Sequence, residues 1–286
     1  MSEYLKGILL TAAGVLILSI DSLLIRLIAA DSFDLLFWRG LLMSITISIV
    51  LIIQRSTSSR LPMDAVSLRS SLFMVIHIVG FVMAINLSSV ANVLVILSAA
   101  PLFAAMLGWI FLREMPQPIT WAAIFLSMIG IGWVLTGSWS EPNFTGDLLA
   151  LICCIALAAR FVNDRSVSHR DMTPSLIVAG LILALVSFFA GNPMGFSGDG
   201  WWYMVALCLI VSPLALTLIT IGPMRIPAAE VGMLMLLETA VGPLWVWLFL
   251  SEEPSSKALQ GGSLVIGTLL LHSLHQWRQN RLKTIY

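Results

Sequence analysis

The sequence predicts an all-α integral membrane protein: ten transmembrane helices forming a 5+5 inverted repeat, with both termini cytoplasmic. Three observations predict it. Of the 286 residues, 59% are hydrophobic and 10% charged, with a mean hydropathy of +0.98; a soluble domain carries about a quarter charged residues. Ten apolar stretches each approach the roughly 20 residues that a spanning helix needs. The basic residues between them fall on alternating sides of the membrane.

Composition excludes other classes. The 15 basic and 15 acidic residues cancel, so there is no positive field to hold nucleic acid. Three cysteines cannot make a disulfide scaffold. Continuous apolar runs such as Leu41–Ile53 and Leu264–Leu271 lack the alternation of a membrane β-barrel.

The predicted spans are 5–28, 33–53, 70–87, 90–111, 119–137, 146–164, 173–190, 201–221, 229–250 and 258–276. The first is too long for a signal-peptide core, carries Asp21 and Arg26, and meets the next span within five residues. The second opens with F-W-R-G at Phe37–Gly40 and the third holds His77. Asn86 and Asn92 flank the tight turn into the fourth span and read as caps. Cys153, Cys154 and Cys208 fall inside spans and read as small core residues. Trp201, Trp202 and Tyr203 open the eighth span as an interface belt; Ser212, Pro213, Thr217 and Thr220 mark it as kinked and partly polar. The ninth carries Glu238, Thr239 and Pro243. His272 and His275, near the end of the tenth, have no carboxylate or cysteine close in sequence and read as interfacial, not as a metal site.

Orientation follows the loop charges. With the N-terminus inside, 11 Lys and Arg residues fall on the cytoplasmic side, Lys257 alone lies outside, and Arg26, Arg39 and Arg160 fall within spans. A missed or invented helix would scramble that alternation.

A repeat is visible at a shift of 138, which carries Ala91 onto Ala229 and W-x-F-L-x-E-x-P at Trp109–Pro116 onto the same pattern at Trp247–Pro254. A shift of 139 carries Gly7 onto Gly146, Leu9 onto Leu148 and Arg26 onto Arg165. The expected organisation is a first repeat at 1–138, a second at 139–276 and a basic cytoplasmic tail at 277–286. Five spans per repeat is odd, so the second half would enter from the opposite side, as transporters use for alternating access.

With its five-plus-five spans, F-W-R-G in the second and W-x-F-L-x-E-x-P closing the fourth and ninth, the chain resembles the drug/metabolite transporter superfamily, specifically tandem EamA-type domains. The resemblance covers nearly the whole chain and implies ten helices around a central cavity, often exporting amino acids or other metabolites. The second half departs from the first, since Arg39 falls on Val178.

Ionisable residues within spans are functional candidates. Asp21 and Arg39 each lie about four residues outward of their span centres, about 6 Å from the midplane, on consecutive antiparallel helices. A buried pair keeps both charged, either as structure, as a gate, or as an anchor for a substrate carboxylate. Arg160 lies about 13 Å deeper than Asp21, so Asp164, Glu230 or the cytoplasmic interface is its expected partner. Glu238 sits near the middle of the ninth span, where an acid can carry a proton, hold a cationic group or simply be hydrogen-bonded. With Thr239, and with Ser98 and Pro101 across the repeat, it forms the expected substrate floor. His77 near the midplane reads as a satisfied core histidine, and Trp38 can face the cavity beside Arg39.

The expected function is a secondary transporter exporting a small metabolite, an amino acid or related compound, across the cell (inner) membrane. Its expected partners are the substrate, the bilayer, and protons or a counter-substrate. Zincin, serine-hydrolase and phosphate-loop motifs are missing from the sequence, so no enzyme activity, cofactor or metal is expected. The alternatives are an intramembrane enzyme acting on a lipid-linked substrate, and a receptor or assembly factor.

Overall fold

The computed structural model describes residues 3–53, 64–113, 115, 118–138, 144–195, 200–226 and 228–285. Apart from turns and loops, the described residues are helical. In chain order the α-helices are α1 (Glu3–Leu18), α2 (Asp21–Ile28), α3 (Ser32–Ile53), α4 (Ala65–Leu87), α5 (Val90–Leu97), α6 (Ala100–Leu112), α7 (Pro118–Ser138), α8 (Phe144–Arg165), α9 (Pro174–Ala190), α10 (Gly200–Val205), α11 (Ser212–Arg225), α12 (Ala228–Leu234), α13 (Leu236–Leu250) and α14 (Ser256–Ile285). A π-helical turn, Ala206–Val211, joins α10 to α11. α1–α2, α5–α6, α10–α11 and α12–α13 run nearly end to end, giving ten helical rods among the described residues.

Among the described residues, seven stretches are long and apolar enough to cross a bilayer: Glu3–Ile28, Ser32–Ile53, Ala65–Leu87, Val90–Leu112, Phe144–Arg165, Gly200–Gly222 and Glu230–Leu250. Trp121–Trp133 and Pro174–Ala190 are shorter apolar helices. Three predicted boundaries move by four residues or more, among them the end of the eighth span, at Arg225 instead of 221. The third span starts at Ala65, not at 70. The tenth runs on to Ile285, so the basic tail continues its helix.

Helix packing respects the repeat. α4 packs along α8 and α1 along α11; α3 packs on α9, and α7 on α14. Exchanging the halves turns the first of these contacts into the second and returns each of the others to itself. Outward-facing side chains such as Ile52, Phe125, Leu185 and Phe189 are apolar and exposed, as lipid contact requires.

α3 crosses α9 closely on small residues spaced by four, Gly40/Ser44 and Gly180/Ala184. A Cβ on Gly40 would fall 2.5 Å from the Gly180 carbonyl oxygen and 2.8 Å from the Ala184 nitrogen. Ser44 donates to the Gly40 carbonyl at 2.7 Å and lies 3.1 Å from the Ile177 carbonyl. Gly40→Ala is expected to cost about 1–3 kcal/mol, because the backbone of α9 blocks the new methyl. Unfolding in detergent checks this; a variant as stable as the parent would show that the crossing is loose.

Candidate functional site

Four rods that read as single spans in the sequence are interrupted near their middles. α1 stops at Leu18 and α2 restarts at Asp21; α5 stops at Leu97 and α6 restarts at Ala100; α12 stops at Leu234 and α13 restarts at Leu236. The fourth is the π turn before Ser212. Two causes are covalent. Pro101 has no N–H to give the Leu97 carbonyl, and that oxygen has the Cys154 sulfur 3.6 Å away. Pro213 likewise leaves the Leu209 carbonyl without its donor, and the helix widens just before it. The breaks at Leu97–Ala100 and at Met235 occupy the same place in the 138-residue repeat. Both close with tight three-residue turns, Leu102 N–H to Ala99 at 2.9 Å and Glu238 N–H to Met235 at 3.0 Å. The second break lies eight residues before Pro243, which stays inside α13.

Around these breaks lies a buried ionic cluster. Arg39 Nη2 donates to Asp21 Oδ2 at 2.9 Å, with the two side chains 3% and 1% exposed. Glu238, buried in the first turn of α13, is within Coulomb reach of both. Both acids stand at helix N-termini, where the backbone dipole favours negative charge. Ser212 lies beside Asp21 without closing a hydrogen bond to it. Arg39 Nε and Nη1, Asp21 Oδ1, and the Ser22 and Ser212 hydroxyls are all buried with no hydrogen-bond partner among the described residues.

The other expected site residues lie around or away from this cluster. His77 Nδ1 is 3.0 Å from the Cys153 sulfur, and its ring stacks on Phe81. Thr239 donates to the Leu94 carbonyl at 3.1 Å. With Pro243 and Trp247 it lines a cavity of ≈ 500 Å³ against α5 and α14. The Ser98 hydroxyl is spent on the Val95 carbonyl. Trp38 turns away from Arg39: its Nε1 donates to the Pro193 carbonyl at 3.0 Å and its ring packs edge-on against Trp201. Consecutive helical residues point about 100° apart, so adjacency to Arg39 misleads.

Arg160 is 1% exposed, so it does not snorkel. It donates to the Thr220 hydroxyl at 2.6 Å and lies 3.5 Å from Asp164. Glu230 instead accepts from the Tyr4 hydroxyl at 2.8 Å. Asn86 and Asn92 are not caps: Ser89 caps α5, the Asn86 amide reaches Ser32, and the Asn92 amide lies 3.4 Å from Asp147.

The repeated W-x-F-L-x-E-x-P motif acquires a physical meaning. Arg113 and Ser251, 138 residues apart, both end their helices in the left-handed region, at φ 56° and 54°. This turn sends Glu252 back to accept the Val90 N–H at 3.0 Å, capping α5, with Arg26 Nη2 3.5 Å away. Arg26 also donates to the Ser88 carbonyl at 2.8 Å, and the Ser88 hydroxyl bonds Asp147. The matching Glu114 lies outside the described residues. Glu252→Ala is expected to cost about 0.5–2 kcal/mol, the usual loss of an N-terminal cap. Glu252→Gln, which keeps an accepting oxygen, should cost less; equal stability of Ala variant and parent would remove the cap.

The EamA-like transporter family matches this sequence twice, over residues 5–136 and 144–274. The chain belongs to that family. It is therefore a multi-pass membrane protein of a transporter family, with a small-molecule substrate and the bilayer as its surroundings. No curated protein matches the sequence significantly. Among solved structures, one described only as "Crystal structure of protein" is similar at a TM-score of 0.74, with 17% identity over 94% of this chain and 97% of that one. That likeness concerns the fold alone. Among the described residues no group of three or more His, Cys, Asp or Glu side chains could hold a metal ion.

Proposed function

We propose that this EamA-like protein is a secondary transporter that carries a small metabolite, an amino acid or related compound, out of the cell by alternating access. All ten rods cross the inner membrane, both ends lie in the cytoplasm, and the two repeats, at 1–138 and 139–276, have opposite orientations. The observation that carries this reading is the buried Asp21–Arg39–Glu238 cluster, drawn from both repeats and set where helices break. Interrupted helices place free backbone groups and dipole ends at a mid-membrane site, and ionisable groups at that depth are costly unless used. The four most extensive helix contacts, which map onto one another when the halves are exchanged, support the two-conformation scheme.

Purified protein in proteoliposomes, tested with amino acids, carboxylates, amines, nucleosides and drugs, is expected to move one class faster than empty liposomes do. Flux of none of them would remove the reading. Topology has its own check. A cysteine at His169, between α8 and α9, should resist an impermeant thiol reagent applied to intact cells, and one at Asp31, between α2 and α3, should react. The opposite pattern would invert the orientation.

A further inference from the structure

Arg39 is the most under-used buried cation among the described residues. Its side chain is 3% exposed, yet among the described residues it makes one side-chain hydrogen bond, from Nη2 to Asp21; Nε and Nη1 have no partner. A guanidinium binds a carboxylate in bidentate fashion along an edge, and both open edges of the fork include Nη2. Nη2 has two N–H groups, one on each edge, so one oxygen of Asp21 there obstructs one edge, fills neither and leaves the other open. Asp21 Oδ1 is unpartnered, as is the Ser212 hydroxyl beside Asp21. A structural ion pair at this depth would be expected to satisfy these atoms.

We propose that Arg39 is the binding site for a substrate carboxylate, which takes an edge of the guanidinium that Asp21 leaves open while Asp21 takes up a proton. This deepens the transporter reading above and rests on it. The charge balance requires the proton. At rest Asp21 and Arg39 cancel. An incoming carboxylate brings a second negative charge to one guanidinium in a low-dielectric site, where an uncompensated charge is very costly. A proton from solution on Asp21 Oδ1 restores neutrality: the Arg39–Asp21 ion pair is replaced by a bidentate Arg39–substrate pair, and an O–H forms on Asp21. That O–H can donate to Ser212. Substrate and proton then leave together on the other side, so a monocarboxylate crosses without net charge, and efflux follows when the acid has accumulated inside.

Other groups around Asp21 do not replace it in this tally. Arg39 faces it from α3, Glu238 from α13 and Cys208 from the π turn. His77 of α4 faces Arg160 and Arg39, α10 offers only the exposed Tyr203, and Arg26 of α2 is held by Ser88 and Glu252.

The test uses purified full-length protein with amine-free probes, lactate, benzoate and phenylacetate, each against its amide. The acids are expected to raise the thermal unfolding midpoint and to take up about one proton each in weakly buffered solution. Their apparent Kd should rise about tenfold per pH unit where free Asp21 is ionised. The amides should do none of this. Asp21→Asn should still bind the acids, with proton uptake lost and a flat pH dependence. If that variant does not fold, the proton count of the parent decides. Binding without proton uptake, or uptake lost in Glu238→Gln and kept in Asp21→Asn, overturns the proposal. So does the failure of every acid to bind. Flux of other compounds in the proteoliposome panel would then leave the transporter reading standing, and no flux at all would end both.

Discussion

Arg39→Met alone is expected to destabilise the protein by about 3–5 kcal/mol, and Asp21→Leu alone by a similar amount. Each leaves its partner charged at a site where the two are 3% and 1% exposed. The double variant Asp21→Leu/Arg39→Met should be far milder, because replacing a buried pair by apolar side chains of similar size is often neutral or better. The pair's incomplete bonding argues the same way: three of its polar atoms have no described partner, so deleting both residues forfeits little favourable energy. A double-mutant cycle on detergent unfolding measures the coupling. Additive effects would show that the two charges do not depend on each other. The double variant should also separate stability from function, since it folds without the cation on which the proposed carboxylate site depends.

The Asp21–Arg39 contact was legible because depth is arithmetic in a membrane helix. Two residues equally far along antiparallel rods meet at one level, and two buried opposite charges at that level pair. Arg160 with Asp164 follows from spacing by four. Its contact with Thr220 was not legible, because nothing in the sequence says which face of α11 meets α8. The helix breaks were only half visible. Pro101 and Pro213 give covalent reasons for two of them. Met235 carries no such signal and is intelligible only as the repeat counterpart of Leu97, while the break after Leu18 has no counterpart in α8. Trp38 misled because neighbours in a helix face different ways. Glu252 was visible as half of a repeated motif, but capping of α5 requires the left-handed turn at Ser251 and the meeting of the two halves.

Glu238→Gln is expected to fold as the parent does and to lose binding and flux of carboxylates that bear an amine, with amine-free carboxylates unaffected. Asp21 and Arg39 cancel, and no second cation stands beside Glu238 in this cluster; protonated, Glu238 leaves the cluster neutral, so an amide of the same shape changes no resting charge. Stability should therefore move by less than about 1 kcal/mol, the range of ordinary near-isosteric changes. An amino acid differs from a simple acid by one ammonium group. With its carboxylate on Arg39, that group needs a carboxylate at the same level, and Glu238 is the remaining acid within Coulomb reach. The proton leaving Glu238 is then available to Asp21, so a zwitterion should bind with almost no net proton uptake, in contrast to an amine-free acid. Gln cannot release a proton or offer a charge, and the zwitterion would be left with an uncompensated buried cation. Calorimetric titration in two buffers of different ionisation enthalpy measures both affinity and proton count. Undiminished binding of amine-bearing substrates by Glu238→Gln would reduce Glu238 to a structural residue and place the amine elsewhere.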